Sequence, residues 1–515
     1  MPQHSILFPF PPFPRGKKCP PDFFKDLNLD QMVTAITETK ESYALDSLFF
    51  SPLDDMETIL YRQRVVQDLE KDLLRDQAET FSQKICALHR RIAPFIDFEE
   101  QTFQKTGYLE KGSFLEAAQT YCETLENFQR TLEETPLGSE GLTALRDYLQ
   151  RYCTAPSFSS LKKDTLKVRE EIQSIRYCML IRGCSIRIKK YEGEKNYSED
   201  ILKTFEKFNE GPSTGNFRDI PKEQYASHIE EGILSILSRL FPEPFDALDR
   251  YCTHHACFFD ATILHFAMDV QFYISFLNYL APLREKKLPF CYPEITTESK
   301  EIHASGFFDI VLAQKLTEEG KSVVLNDFYL SSQERSMVIS GPNQGGKTTF
   351  ARSFAQIHYL ASLGLPVPGR QARLFLPDRI FTHFEREEKV ENFSGKLQEE
   401  LIRMQQIFEK ATDRSIIIIN EIFSFTSLAD ALVIGKRIMR RITNLGCLCV
   451  CVTFLEELSR LNDTTVSMVS TVNPEKPEER TFTIIRKTAD GLAYAISIAR
   501  KHELTYEQIR KRLHQ

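Results

Sequence analysis

Residues able to grip phosphate stand close together late in the chain. Gly341-Pro342-Asn343-Gln344-Gly345-Gly346-Lys347-Thr348 fits the pattern GxxxxGK[ST]. A short apolar run, Met337-Val338-Ile339-Ser340, precedes it, and Phe350, Phe354, Ile357 and Leu360 follow at helical spacing. Strand, glycine-rich loop and helix in that order form a P-loop. Glycines let the backbone curl so that successive N–H groups point at phosphate oxygens, and the helix N-terminus adds its dipole. Lys347 is placed to reach the β- and γ-phosphates and Thr348 to offer a hydroxyl to Mg²⁺, with Thr349 beside them in the expected nucleotide-binding set. The expected cofactors are therefore ATP and Mg²⁺.

A second run, Ile416-Ile417-Ile418-Ile419-Asn420-Glu421, reads as a buried strand with a polar end. Such a strand commonly supplies an acid that holds Mg²⁺ through water, then a glutamate that activates the attacking water. Asn420 occupies the first position and carries no charge, so it should hold Mg²⁺ less tightly. Glu421 is available as general base.

These motifs need a parallel sheet to position them. After about residue 295, β-rich runs (321–325, 337–340, 416–419, 448–453) alternate with helical stretches, the signature of such a sheet. Before it the texture is helical. Residues 1–28 are broken by proline and read as irregular. From Leu29 to about Leu149 apolar residues recur at helical spacing, as in Leu60, Val65, Val66 and Leu69. A helix is expected over Leu161–Ile181. Beyond it, Cys184, Ile186 and Ile188 alternate with polar residues as in a strand or hairpin arm. A loop follows at Glu210–Asn216, and helices resume over Glu223–Arg284. The expected organisation is an irregular segment 1–28, a helical region 29–294 and an α/β domain 295–515.

The 515 residues carry a net charge of −7, so any nucleic-acid binding must use a local basic surface. Residues 160–190 supply nine Lys/Arg against three Asp/Glu, including Lys162, Lys163, Lys167, Arg187, Lys189 and Lys190. That excess suits backbone contacts to DNA and equally suits a solvated helix face. The twelve cysteines include no CxxC pair. Cys447, Cys449 and Cys451 fall on one strand face and read as reduced core thiols, which suits a cytoplasmic protein. His254 and His255 lack further ligands at matching spacing. No run of 18 apolar residues occurs, so no membrane span is expected.

The loop Gly341–Thr349 is similar to the GPNxGGKST loop of MutS-family DNA mismatch repair ATPases. Several other segments resemble that family: Asp378-Arg379-Ile380-Phe381-Thr382, Thr426-Ser427-Leu428-Ala429-Asp430, and Ala489–Ile496. The resemblance places Asn326 near the nucleotide and Val323 where many members stack an aromatic on adenine. It makes Ser394 the signature serine that reaches the partner subunit's γ-phosphate, with Glu399 after it. It covers about residues 30–515, most strongly beyond 320. Tyr43–Asp54 and Glu57–Gln63 resemble the start of the family's lever region, and residues near 184–220 its clamp.

The resemblance implies an ABC-type P-loop ATPase domain preceded by a mostly α-helical lever and clamp region. It implies a homodimer with ATP bound across the interface, gating a clamp on DNA, mismatched or branched, in repair or recombination. The helical core begins too early for an N-terminal mismatch-reading domain, and no nuclease segment is expected after the ATPase. The family's switch histidine falls on Phe454. Together with Asn420 this implies slow hydrolysis, and it motivates an alternative: a nucleotide-binding structural clamp with little or no turnover. A small-molecule kinase is disfavoured, since the helical half offers no acceptor pocket and Ser394 would be idle.

Overall fold

The computed structural model describes residues 4–11, 13, 16–38, 40, 43–96, 106–183, 185–194, 225–385, 395–421, 423, 426–473, 480–488 and 505–513. The chain forms two compact units, one of residues 1–3, 76–137 and 143–268, the other of 4–75, 138–142 and 269–515.

The first unit is mostly helical. Helices Tyr108–Glu134, Pro156–Gln173, Tyr225–Leu240 and Pro242–His254 lie wholly within it. Its core is aromatic: Phe81 stacks on Phe128 at 4.3 Å, and Phe258 packs edge-on to Phe114 and Tyr121 at 5.2 and 5.3 Å. The helix expected over 161–181 stops at Gln173. Tyr177–Arg182 (β1) instead pairs antiparallel with Ser185–Lys190 (β2). Gly183, at φ 59°, makes the turn, and the β-prone run Tyr177–Ile181 gains a partner strand that a helix would deny it. Ile188 anchors the hairpin against Leu237 and Phe245. Cys184 and the loop 210–216 lie outside the described residues.

The second unit carries the motifs. Strands Phe290–Cys291 (β3), Glu294–Thr296 (β4), Ile302–Phe307 (β5) and Asn326–Leu330 (β6) precede the glycine-rich loop, and Ser336–Ser340 (β7) leads into it. Val367–Pro368 (β8), Gln371–Phe375 (β9), Ile380–His383 (β10), Ile416–Asn420 (β11), Leu448–Val452 (β12), Thr465–Val472 (β13) and Arg480–Arg486 (β14) follow. Six form a sheet in the order β10-β11-β12-β7-β13-β14, parallel except for the β13–β14 pair. A smaller sheet has the order β4-β9-β5-β6. The strand expected over 321–325 is not formed. Pairing starts at Asn326, opposite Phe307, and the five preceding residues run unpaired.

The central strands β7, β11 and β12 of the main sheet are buried, as their runs of isoleucine and valine require. Ile417, Ile419, Cys447, Cys449 and Cys451 share one face with Met439 and Ile442 of the helix Leu428–Leu445. Burial pushes the Cys451 thiol up to about 12, so it is an inert core group. Among the described residues no group of three or more His, Cys, Asp or Glu could hold a metal ion, and no helix is long and apolar enough to cross a membrane.

Residues 4–28 of the N-terminal segment belong to this second unit, far in sequence from the texture change near 295. The segment's backbone carbonyls are taken up by buried and half-buried side chains. Tyr61 donates to Ser5 O at 2.7 Å, Tyr273 to Ile6 O at 2.7 Å, and Gln356 to Leu27 O at 2.9 Å. Arg62 donates to Leu7 O and Leu363 O, at 3.0 and 3.2 Å.

Candidate nucleotide-binding site

The glycine-rich loop emerges from β7 in the middle of the main sheet, at the carboxyl ends of the parallel strands, where open α/β sheets bind ligands. Gly341 adopts φ 126° and Gly346 φ 87°, values that L side chains rarely adopt. Space as well as torsion demands glycine: a Cβ on Gly341 would sit 2.9 Å from Ser470 Cβ. Between them, Pro342 O accepts from Gly345 N at 3.3 Å, and Gln344 takes φ 59°. Asn343 and Gln344 are exposed. Ser470 Oγ donates to Gly345 O at 2.6 Å and ties the loop to β13.

Lys347 opens the helix Lys347–Ser362. Its amine is folded onto the loop, donating to Gly341 O and Pro342 O, both at 3.0 Å, and lies 5.0 Å from the centre of the Phe454 ring. Burial pulls its pKa below the lysine range, while Glu421 acts in the opposite sense and Arg480 in the same one. Thr348 Oγ1 donates to Asn420 Oδ1 at 2.8 Å. That bond joins the loop to the end of β11, two strands away in the sheet.

Glu421 follows in a left-handed conformation, φ 56°, with its N–H donated to Val452 O at 2.9 Å. Burial raises its pKa; Lys347 opposes the rise and Glu385 adds to it. Phe423, also left-handed at φ 60°, donates its N–H to the buried Glu400 carboxylate at 2.9 Å. Glu400, one residue beyond the Glu399 singled out in the sequence, thus holds the turn after β11. Ser427 caps the helix Leu428–Leu445 by accepting from Asp430 N at 3.2 Å. Asp378 accepts from Ser415 Oγ at 2.8 Å and Thr412 Oγ1 at 2.7 Å, fixing the start of β11.

Beside the loop opens a largely apolar cavity of about 640 Å³. Val323, Asn326, Gly346, Thr349, Phe350 and Phe482 are among the residues that line it. Asn326 faces β14 with both ends of its amide: Nδ2 donates to Phe482 O at 3.2 Å, and Oδ1 accepts from Ile484 N at 2.7 Å. The structure thus gathers Gly341–Thr349, Asn420, Glu421 and Phe454 at one junction, with Asn326 and Val323 on the adjoining cavity. Ser394 and residues 489–496 lie outside the described residues. Ser470 and Phe482 were not legible in the sequence: both sit in strands more than 120 positions downstream, with no spacing that ties them to the loop.

The donor set fits a nucleotide's phosphates: a curled glycine backbone, a helix N-terminus and a lysine at its mouth. For Mg²⁺ it offers a hydroxyl and an amide oxygen in mutual contact, with one carboxylate following. Those neutral oxygens suit a magnesium ion that keeps most of its waters.

Residues 337–512 match the family MutS domain V. The chain is 30% identical over 214 residues to a DNA mismatch repair protein MutS from Erythrobacter litoralis, covering 41% of this chain and 24% of that protein. It is 32% identical over 236 residues to one from Ruminiclostridium cellulolyticum, covering 44% of this chain and 26% of that protein. The match spans about a quarter of the length of these relatives.

Proposed function

Because this chain belongs to the MutS family through its C-terminal domain, we propose that it binds ATP and Mg²⁺ at the loop Gly341–Thr349 and uses the nucleotide to gate a dimeric clamp on DNA. The observation that carries the reading is the Thr348–Asn420 bond at 2.8 Å. It brings the phosphate loop and the end of β11, 72 residues apart in sequence, into the single junction that nucleotide hydrolysis needs.

At that junction each side chain has a stated task. The loop N–H groups and Lys347 hold the β- and γ-phosphates. Thr348 and Asn420 are the groups that would hold Mg²⁺, which supplies charge neutralisation on the phosphate oxygens. Glu421 takes the proton of the attacking water. Val323 and Asn326 border the base. Ser394 is assigned to a second subunit's γ-phosphate on family resemblance alone. In this reading residues 295–515 are the ABC-type ATPase and dimerisation domain, and 29–294 the lever, with the clamp near 184–220. The relatives' role, DNA mismatch repair, is extended to this chain as a proposal, with DNA held through its backbone.

Two features favour slow turnover. Asn420 brings no charge to the metal position, and Phe454 presents Lys347 with a ring that cannot donate a hydrogen bond to phosphate. A nucleotide-binding clamp with little hydrolysis is therefore the second reading. ATP binding and steady-state hydrolysis, measured for wild type and Lys347→Ala with and without duplex and branched DNA, separate the two. DNA-stimulated turnover lost in the variant supports the working ATPase. Binding without turnover under every condition supports the static clamp. No ATP binding by the wild type sinks both.

A further inference from the structure

Val323, which offers no ring, lines the cavity beside the loop. Phe482 lines that cavity and is 49% exposed. An exposed phenylalanine within a strand has a cost in water, and its backbone carries a second one. Phe482 adopts φ 57°, a left-handed conformation that bulky side chains avoid.

The surrounding strand is built to hold it there. The β13–β14 register runs from Ser470↔Ile484 to Val472↔Arg480, so two steps on β13 face four on β14. The extra length bulges out at Thr481–Thr483, with Phe482 at its centre. Thr481 Oγ1 donates to Thr471 O at 2.9 Å, Thr471 Oγ1 to Thr483 O at 3.0 Å, and the Asn326 amide bonds Phe482 O and Ile484 N on either side. Bulges beside active sites re-aim a side chain. This one brings Phe482 beside the loop: a Cβ on Gly346 would sit 3.6 Å from the Cβ of Phe482.

Resting on the nucleotide-site reading above, we infer that Phe482 supplies the aromatic face on which the nucleobase stacks, in place of the aromatic that Val323 lacks. Every base has a π-face, and stacking on an aromatic needs no hydrogen-bond partner. The loop and Lys347 grip the phosphates independently of this ring, so base and phosphate binding separate in experiment.

Isothermal titration of the full chain with ATP and with inorganic tripolyphosphate tests the assignment. Phe482→Ala is expected to weaken ATP binding about tenfold, within the range measured for base–aromatic stacking. Tripolyphosphate affinity should stay within about twofold, since no base is present to stack. Phe482→Tyr, which keeps the ring, should bind ATP as the wild type does. The inference is overturned if Phe482→Ala leaves ATP affinity unchanged, if ATP and tripolyphosphate weaken together, or if Phe482→Tyr is as impaired as the alanine. A wild type that binds tripolyphosphate but gains nothing from the base also overturns it, leaving the phosphate site standing. Binding of neither probe removes the nucleotide-site reading itself, and this assignment with it.

Discussion

Glu421 carries two demands at once: to stay poised as a base, and to tolerate a partly buried position. Burial lifts its carboxyl above the ordinary glutamate range, and Lys347 limits the rise. The folded state therefore holds the proton more tightly than the unfolded chain does. This group costs no stability below the ordinary carboxylate range, and its cost grows as pH rises through the folded value. Glu421→Gln should then equal or exceed the wild type in urea midpoint near pH 7.5, with the difference vanishing near about pH 4. ATP affinity should persist, while hydrolysis falls by roughly 100-fold or more, the usual loss for a general base. A variant that keeps its turnover would remove Glu421 from the mechanism. The types of Lys347, Thr348, Asn420 and Glu421 were all legible in the sequence because each belongs to a contiguous motif. The approach of the Lys347 amine to the Phe454 ring was not, because it depends on a loop 107 positions away.

Among the elements, the helix Met56–Leu69 does more than its amphipathic pattern announces. Its Arg62 is 1% exposed and lies between the rings of Phe8 and Phe272, at 4.8 and 5.3 Å, while bonding the carbonyls of Leu7 and Leu363. One side chain thus joins the N-terminal segment, this helix and the turn after the P-loop helix. Arg62→Ala strands two buried carbonyls and leaves a void, and should cost about 3 kcal/mol or more. Urea unfolding of the intact protein checks this; a loss below about 1 kcal/mol would mean that water replaces the guanidinium. Helical spacing located the helix, but an arginine at a core position reads as a surface residue until its partners are seen. The hairpin was half legible for a related reason. Ser185–Lys190 alternates clearly, whereas Tyr177–Ile181 is a continuous apolar run that fits helix and strand alike, and only pairing with β2 decides.

For the whole molecule, the proposed DNA clamp turns on how much of the basic surplus in residues 160–190 is free to meet phosphate. Part of it is already engaged. Lys162 pairs with Glu126, Lys189 with Glu194, and Lys190 lies over Phe241 at 5.2 Å. Arg182 and Arg187 are exposed on the hairpin face opposite the anchored Ile188. Replacing both with alanine should weaken duplex binding and reduce the slope of log K against log salt by about two, one for each phosphate no longer neutralised. Titrations at several salt concentrations read that slope; an unchanged slope would place the DNA surface elsewhere.

By itself the sequence determined the phosphate loop, the strand bearing Asn420 and Glu421, the helical texture before the sheet and the core role of Cys447, Cys449 and Cys451. Each is written in local spacing: a glycine pattern, a period of two, or a period near 3.6. Tertiary structure alone decided the Thr348–Asn420 bond, the lock of Ser470 on Gly345, the bulge that presents Phe482, and the packing of residues 4–75 with the C-terminal sheet. Those features join residues 72 to more than 300 positions apart. No local period encodes such a pairing. It is settled only when buried donors find acceptors and apolar faces find each other in the folded chain.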